Sequence, residues 1–202
     1  IAIYRRQKDT VRLVNNLSNL GDIYTNEKNN ADSAHSALQE ALALLNNYQT
    51  PHPVGRAGLY ANLGALFFEQ TPHADSAQYY WKKAADIYKN LNMLLEFAKM
   101  ESNLARVHQK NGEYSKALSL ALTAYRKAQE GGYSTLLNKI TRELSTIYEA
   151  QNMPDSALFY LKKYVQLNKK LLNTEKQETV LNLITKYETE KKERENQNIK
   201  KK

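Results

Sequence analysis

The sequence predicts an all-α protein whose helix pairs stack into an α-α superhelix, with a long helix at its C-terminal end. Three observations carry this expectation. Ala34, Ala77, Ala117 and Ala157 recur at intervals of 43, 40 and 40 residues. Each heads a set of packing residues at steps of four and seven: Ala34/Leu38/Ala41, Ala77/Trp81/Ala84, Ala117/Ala121/Ala124 and Ala157/Leu161/Tyr164. Those steps keep the side chains on one helix face. In phase with them, 12 or 13 residues upstream, runs a second motif of Leu, a small residue and a plug three residues on: Leu20-Gly21…Tyr24, Leu63-Gly64…Phe67, Leu104-Ala105…His108 and Leu144-Ser145…Tyr148. A fixed period of this size marks stacked supersecondary units rather than one globular core.

The second motif is the first helix of each unit. Its small residue admits a neighbouring backbone, and its plug fills the space beside it; His108 takes the plug position as a packed core residue. Polar and helix-breaking residues then mark a turn: Asn29-Asn30, Thr71-Pro72-His73, Asn111-Gly112 and Gln151-Asn152-Met153-Pro154. An acid follows each turn (Asp32, Asp75, Glu113, Asp155), placed in the first turn of the second helix, where the macrodipole favours it. Pro154 is tolerated in a first turn as well. Gly131-Gly132 ends the helix between the third and fourth units. Ile1-Ala2-Ile3-Tyr4 matches Ala85-Asp86-Ile87-Tyr88, and Tyr4 precedes Gly21 by 17 residues as Tyr88 precedes Ala105. Residues 1–8 therefore read as the end of an earlier unit, 9–172 as four units, and 173–202 as a capping and signalling helix.

The spaced Leu-Gly…Tyr and Ala…Leu…Ala residues of the first unit resemble the tetratricopeptide repeat (TPR) consensus. The period exceeds the usual ~34 residues, so the chain is similar to TPR variants with longer helices. Ala105 and Ser145 replace the glycine, and His108 replaces the ring. The resemblance implies a right-handed TPR solenoid whose first helices line a concave, protein- or peptide-binding surface.

Composition excludes several other classes. The chain has no cysteine, so it holds no disulfide and no thiolate metal site. No apolar run is long enough to span a membrane. The net charge is +8, but the charges are spread and form no DNA-reading motif, so no nucleic-acid partner is expected. Several of the 14 tyrosines, such as Tyr24, Tyr148 and Tyr164, fall at the repeat's packing positions rather than on a base-stacking surface. No two of His35, His52, His73 and His108 stand at i,i+4. With no nucleophile elbow or phosphate-binding glycine loop either, no metal, cofactor or catalytic activity is expected.

Counting from the Leu-small motif, three columns face inward: Asn19, Asn62, Asn103, Glu143; then Asn15, Gly58, Lys99, Lys139; then Asp22, Ala65, Arg106, Thr146. Arg142 lies beside them. An Asn amide both donates and accepts, so the column can pair with a peptide backbone of any sequence. Lys99, Arg106, Lys139 and Arg142 make the C-terminal half basic. Phe68 projects toward the same face, either to anchor a partner or to pack on the next unit. Asn19, Asn62, Lys99 and Asn103 partly resemble the TPR clamp for a terminal carboxylate. Asn15 stands where that clamp has Lys, and Asn103 where it has a basic residue. The expected partner is a protein or peptide that is acidic or carries a carboxylate; the competing reading is a solvated basic surface.

In the tail, Asn173 or Thr174 caps a new helix with Glu175 and Glu178 early in it. Val180, Ile184 and Tyr187 form one apolar face, with Leu181 and Leu183 beside it. Glu188/Lys192 and Glu190/Arg194 pair at i,i+4, each contributing roughly 0.2–0.5 kcal/mol. Lys186–Glu195 resembles the segment that follows TPR arrays in bacterial membrane-anchored regulators. That resemblance implies an extracytoplasmic sensor, anchored through a downstream span and leading to a histidine kinase or a helix-turn-helix DNA-binding output. A free-standing scaffold or co-chaperone and an accessory domain of an enzyme are the alternatives. The oligomeric state is open, a homodimer included.

Overall fold

The structure is a computed structural model that describes residues 3–4, 9–27, 30–48, 52–70 and 74–173. Its complete helices are α1 (Thr10–Asn26), α2 (Ala31–Asn46), α3 (Pro53–Glu69), α4 (Ala74–Asn90), α5 (Leu94–Lys110), α6 (Tyr114–Glu130) and α7 (Ser134–Ala150). A further helix, α8, covers residues 154–173. Among the described residues there is no strand.

Each of the seven complete helices packs on its sequence neighbours among them, and first helices also adjoin first helices, α1 on α3 and α5 on α7. The core is correspondingly a chain of three buried clusters. One joins α1, α2 and α3 through Leu17, Leu38 and Leu63. The next joins α3, α4 and α5 through Ala57, Trp81 and Leu104. The last joins α5, α6 and α7 through Ala98, Ala121 and Leu144. Among the described residues, the clusters reach no further than about one unit, which is the economy of a solenoid.

The small residue of each first helix is matched to what faces it. A Cβ at Gly21 would run into Leu38, and one at Gly64 into the Trp81 ring. In the third unit Ala121 stands where Leu38 and Trp81 stand, so Ala105 has room for its methyl. In the fourth, the Ser145 hydroxyl donates to the Ala157 carbonyl at 3.1 Å. The departures from glycine are thus compensated within their own units.

From α4 onward the connections are copies of one turn. Asn92, Gly112, Gly132 and Asn152 adopt positive φ (55°, 75°, 67° and 55°). The next amide then reaches back five residues: Met93 to Tyr88, Glu113 to His108, Tyr133 to Ala128 and Met153 to Tyr148. This Schellman closure satisfies carbonyls that the helix end leaves open, and it favours Gly or Asn at the left-handed residue. It also holds each connection to three residues, which keeps the helix spacing uniform.

Four expectations change. Glu113 is the N-cap residue of α6 rather than part of its first turn. The three-residue turn ends on it, and its carboxylate pairs with Nδ1 of buried His108 and with Lys116. Asp32 and Asp75 do lie in first turns. Asn173 does not cap a new helix; residues 171–173 are helical and belong to α8. Leu161 is 45% exposed and Ala157 only half-buried, because no described element covers that side of α8. The expectations for Ile1-Ala2, Asn29, Thr71-Pro72-His73 and the tail from Thr174 lie outside the described residues.

Candidate ligand groove

The inward columns divide into residues that bind the array to itself and residues that face outward. Asn62 is of the first kind. Its Nδ2 donates to both the carbonyl and the hydroxyl of Ser18, each at 3.0 Å, so the donor expected to meet a peptide backbone ties α3 to α1. Glu143 makes the equivalent rung one pair of units later, accepting from the Ser102 hydroxyl at 2.6 Å. In both cases the partner is the residue just before the preceding column member. Asn103 would have to reach Ala61, which has no side-chain acceptor and whose carbonyl already receives the Trp81 indole N–H at 3.0 Å. Asn103 therefore makes no rung and lines a cavity instead.

That cavity, about 570 Å³, lies between α5 and α7 near their N-terminal ends. Lys99, Asn103 and Lys139 border it, Leu95, Met100 and Leu136 supply its apolar surface, and Tyr133, Ser134 and Thr135 close one side. Three of the nine residues expected at the site thus come together. The others are placed elsewhere. Asn15 and Asn19 are exposed on α1, and Arg142 is exposed on α7 outside the cavity.

Arg106 and Phe68 form a bridge between α3 and α5. The Arg106 guanidinium binds Glu69 at 3.0 Å and lies 4.5 Å above the Phe68 ring centre. Lys110 approaches the same ring at 5.1 Å, and Trp81 packs against it at 5.3 Å. Phe68 is thereby enclosed by its own unit and the next rather than presented as an anchor. Two further contacts continue the inner ladder: Gln70 donates to the Thr25 carbonyl at 2.6 Å, and Gln109 to the Thr146 hydroxyl at 3.0 Å. Sequence reasoning missed Glu69, Ser102, Gln70 and Gln109. The recurrence of Ser immediately before two of the column residues, Ser18 and Ser102, was the available signal.

Desolvation shifts two ionisable groups of this surface, although the Lys139 side chain is still 49% exposed. Lys139 is held below the ordinary lysine range, chiefly by desolvation, although Glu143 at 3.9 Å opposes the shift. Glu143 is pushed above the usual carboxylate range, again chiefly by burial, with the Ser102 hydrogen bond and the nearby cations opposing. A carboxyl whose folded pKa exceeds its unfolded value is favourable to folding below the unfolded value, and that contribution is lost as pH rises through the folded one. Glu143→Gln keeps an acceptor for Ser102 and removes the buried charge. Thermal melts followed by circular dichroism should show the variant melting above wild type at about pH 7 and together with it at about pH 3, below the ordinary Glu range. A variant that melts lower at both pH values would contradict this account.

Among the described residues no group of three or more His, Asp or Glu side chains could hold a metal ion. No helix among them is long and apolar enough to cross a membrane.

No family model matches the sequence. No curated protein matches it significantly either. Solved structures do. BtubC (BKLC) from P. vanneervenii superposes with a TM-score of 0.71 at 18% identity, over 83% of this chain and 66% of that one. A Podosopora anserina kinesin light chain structure with nearly identical TPR-like repeats gives 0.66 at 18% identity, over 80% of this chain and 77% of that one. MamA gives 0.59 at 20% identity, over 84% and 95%. The chain spans just under two thirds of BtubC's own length. At such identities the likeness is one of fold, and with the repeated helix pairs, Schellman turns and shared core clusters it supports one conclusion: this chain is an all-helical, TPR-like repeat protein with the fold of a right-handed α-α solenoid.

Proposed function

We propose that the array is a protein- or peptide-binding module and that the α5–α7 cavity is its principal contact for an acidic or carboxylate-bearing peptide. The observation that carries this reading is the juxtaposition of Lys99, Lys139 and Asn103 around an apolar floor. The floor accepts an aliphatic side chain, the Asn103 amide pairs with the peptide backbone, and the two ammonium groups attract carboxylates. The test is fluorescence anisotropy with short peptides that end in an aliphatic residue beside acidic ones. Each is compared as the free acid and as an amidated form with the acids neutralised. The acidic forms should bind more tightly, and their advantage should shrink as salt screens the lysines. Equal affinity for both forms would sink the proposal.

The biological setting we infer is the input module of a bacterial signal-transduction or transcriptional regulator. The array then stands on the extracytoplasmic side and is anchored through a segment downstream of Lys202. The support is the likeness of Lys186–Glu195 to the corresponding segment of such regulators. The coding sequence past Lys202 decides this point. A span of about twenty apolar residues followed by a kinase or DNA-binding domain supports it, and a stop codon favours the free-standing scaffold.

A further inference from the structure

Three residues after its leading alanine, the second helix of each unit carries Ala37, Tyr80, Leu120 or Tyr160. In two units this residue covers the plug of the first helix. Tyr80 stacks on Phe67 with ring centres 5.6 Å apart and planes at 5°, and Tyr160 stacks on Tyr148 at 5.4 Å and 11°. In the third unit Leu120 packs against two of the buried clusters. In the first unit the position holds Ala37, and a cavity of about 540 Å³ opens there between α1 and α2. Leu17, Leu20 and Tyr24 line it from α1, and Ala37 from α2. The second unit shows what belongs in such a space: the Tyr80 ring lies on Phe67, the counterpart of Tyr24, and 5.8 Å from Tyr60, the counterpart of Leu17. We propose that this cavity is a docking site for an aromatic side chain of a partner protein, carried beside a basic residue.

The units that fill the space identify the occupant. Each fills it from its own second helix, so the opening in the first unit follows from the size of Ala37. In the second and fourth units the stacked ring also comes with a cation. Lys83 lies 5.8 and 4.8 Å above the Tyr60 and Tyr79 rings, and Lys163 lies 5.0 and 5.7 Å above those of Tyr125 and Phe159. The first unit has Glu40 at that position, and Glu40 borders the cavity together with Asp32. Both the ring and the cation of the other units are thus replaced, the ring by space and the cation by a carboxylate. A partner that brings an aromatic ring and a positive charge restores the whole arrangement. The ring stacks on Tyr24 over the leucines, and the base meets the carboxylates. An acidic segment is repelled at the same mouth. This site is therefore separate from the α5–α7 cavity and opposite to it in charge.

The test is a titration of the full 202-residue protein, methyl-labelled at leucine and followed by NMR. The probes are blocked tripeptides: Arg-Tyr-Arg, Arg-Ala-Arg and Glu-Tyr-Glu, each acetylated and amidated. Arg-Tyr-Arg should shift the Leu17 and Leu20 methyl signals and bind at least about tenfold more tightly than either of the others. Equal affinities, or shifts that leave Leu17 and Leu20 unmoved, would overturn the proposal. Tyramine at the peptide's affinity would make this a site for small aromatic amines and overturn the protein-partner assignment. Ala37→Tyr gives the first unit the residue of the second. It should bind Arg-Tyr-Arg at least about tenfold more weakly while its affinity for an acidic peptide at the α5–α7 cavity stays unchanged. Glu40→Lys removes the charge complement without entering the cavity floor, so it decides the matter if the tyrosine variant does not fold. It should weaken Arg-Tyr-Arg to the same extent, and wild-type affinity in a folded variant of either kind would overturn the assignment.

Discussion

Trp81→Ala should lower the unfolding free energy by about 3–5 kcal/mol, the upper range for removing a large core side chain. Trp81 is 1% exposed. Its indole packs over Gly64, its ring lies against Phe68, and its N–H satisfies the Ala61 carbonyl at 3.0 Å. Alanine would leave a void that Gly64 cannot fill and would remove the indole hydrogen bond to the Ala61 carbonyl. The site also sits in the cluster that joins the second unit to the third, so the loss weakens an interface that both ends of the array depend on. Denaturant unfolding followed by circular dichroism is the measurement, because the variant lacks the chain's single tryptophan. Trp81→Leu should lose much less, as Leu38 already fills that position against Gly21. A loss below about 1 kcal/mol for the alanine variant would mean that the Gly64–Trp81 contact is not a principal support.

Lys99→Glu combined with Lys139→Gln should weaken binding of an acidic peptide at least tenfold, or about 1.4 kcal/mol, with the fold retained. Lys99 is exposed, and glutamine at 139 avoids placing a second carboxylate beside buried Glu143. Arg142→Glu, outside the cavity, should change affinity little and serves as the control for net charge. Arg106→Glu is a poor probe of the groove. It would break the Glu69 ion pair and the stack on Phe68, so weaker binding would report damage between α3 and α5 rather than lost recognition. Calorimetric titration of the three proteins separates these cases. Unchanged affinity in the double variant would rule out the cavity as the acidic-peptide site.

The fold was legible because the array repeats its own instructions. Ala77/Trp81/Ala84 and Leu63-Gly64…Phe67 each state a helix face, and their shared period states the stacking. The turn after α4 was faintly marked, since Leu91-Asn92-Met93 carries neither Gly nor Pro and Asn92 alone, in the position of Gly112 and Gly132, points to a left-handed residue. The site was harder to read. Periodicity can say that Asn62 and Asn103 point the same way. It cannot say that Ser18 waits for one and Ala61 fails the other. Those outcomes depend on residues 44 and 42 positions away, on helices whose relative height a one-dimensional pattern does not carry. Arg106 is similar: its charge was visible, but its engagement by Glu69 was not. Asn173, one of the two capping candidates, falls inside α8, because a good capping residue is also tolerated near a helix end and the side chain alone does not choose between them.

The inner ladder gives the α5–α7 pair the mechanics of a scissor. The Ser102–Glu143 and Gln109–Thr146 rungs pin the two helices from their middle to their C-terminal ends, while the cavity opens between their N-terminal ends. A body wedged into it would have to break those rungs to slide one helix past the other. With both rungs kept, the opening it favours is a rotation about the pinned end. Because α6 continues from α5 through a three-residue connection beside that pivot, and α8 from α7 through another, a small opening at the mouth becomes a change of angle between whole units. Occupancy would then be reported as curvature, felt most at the far end of the array.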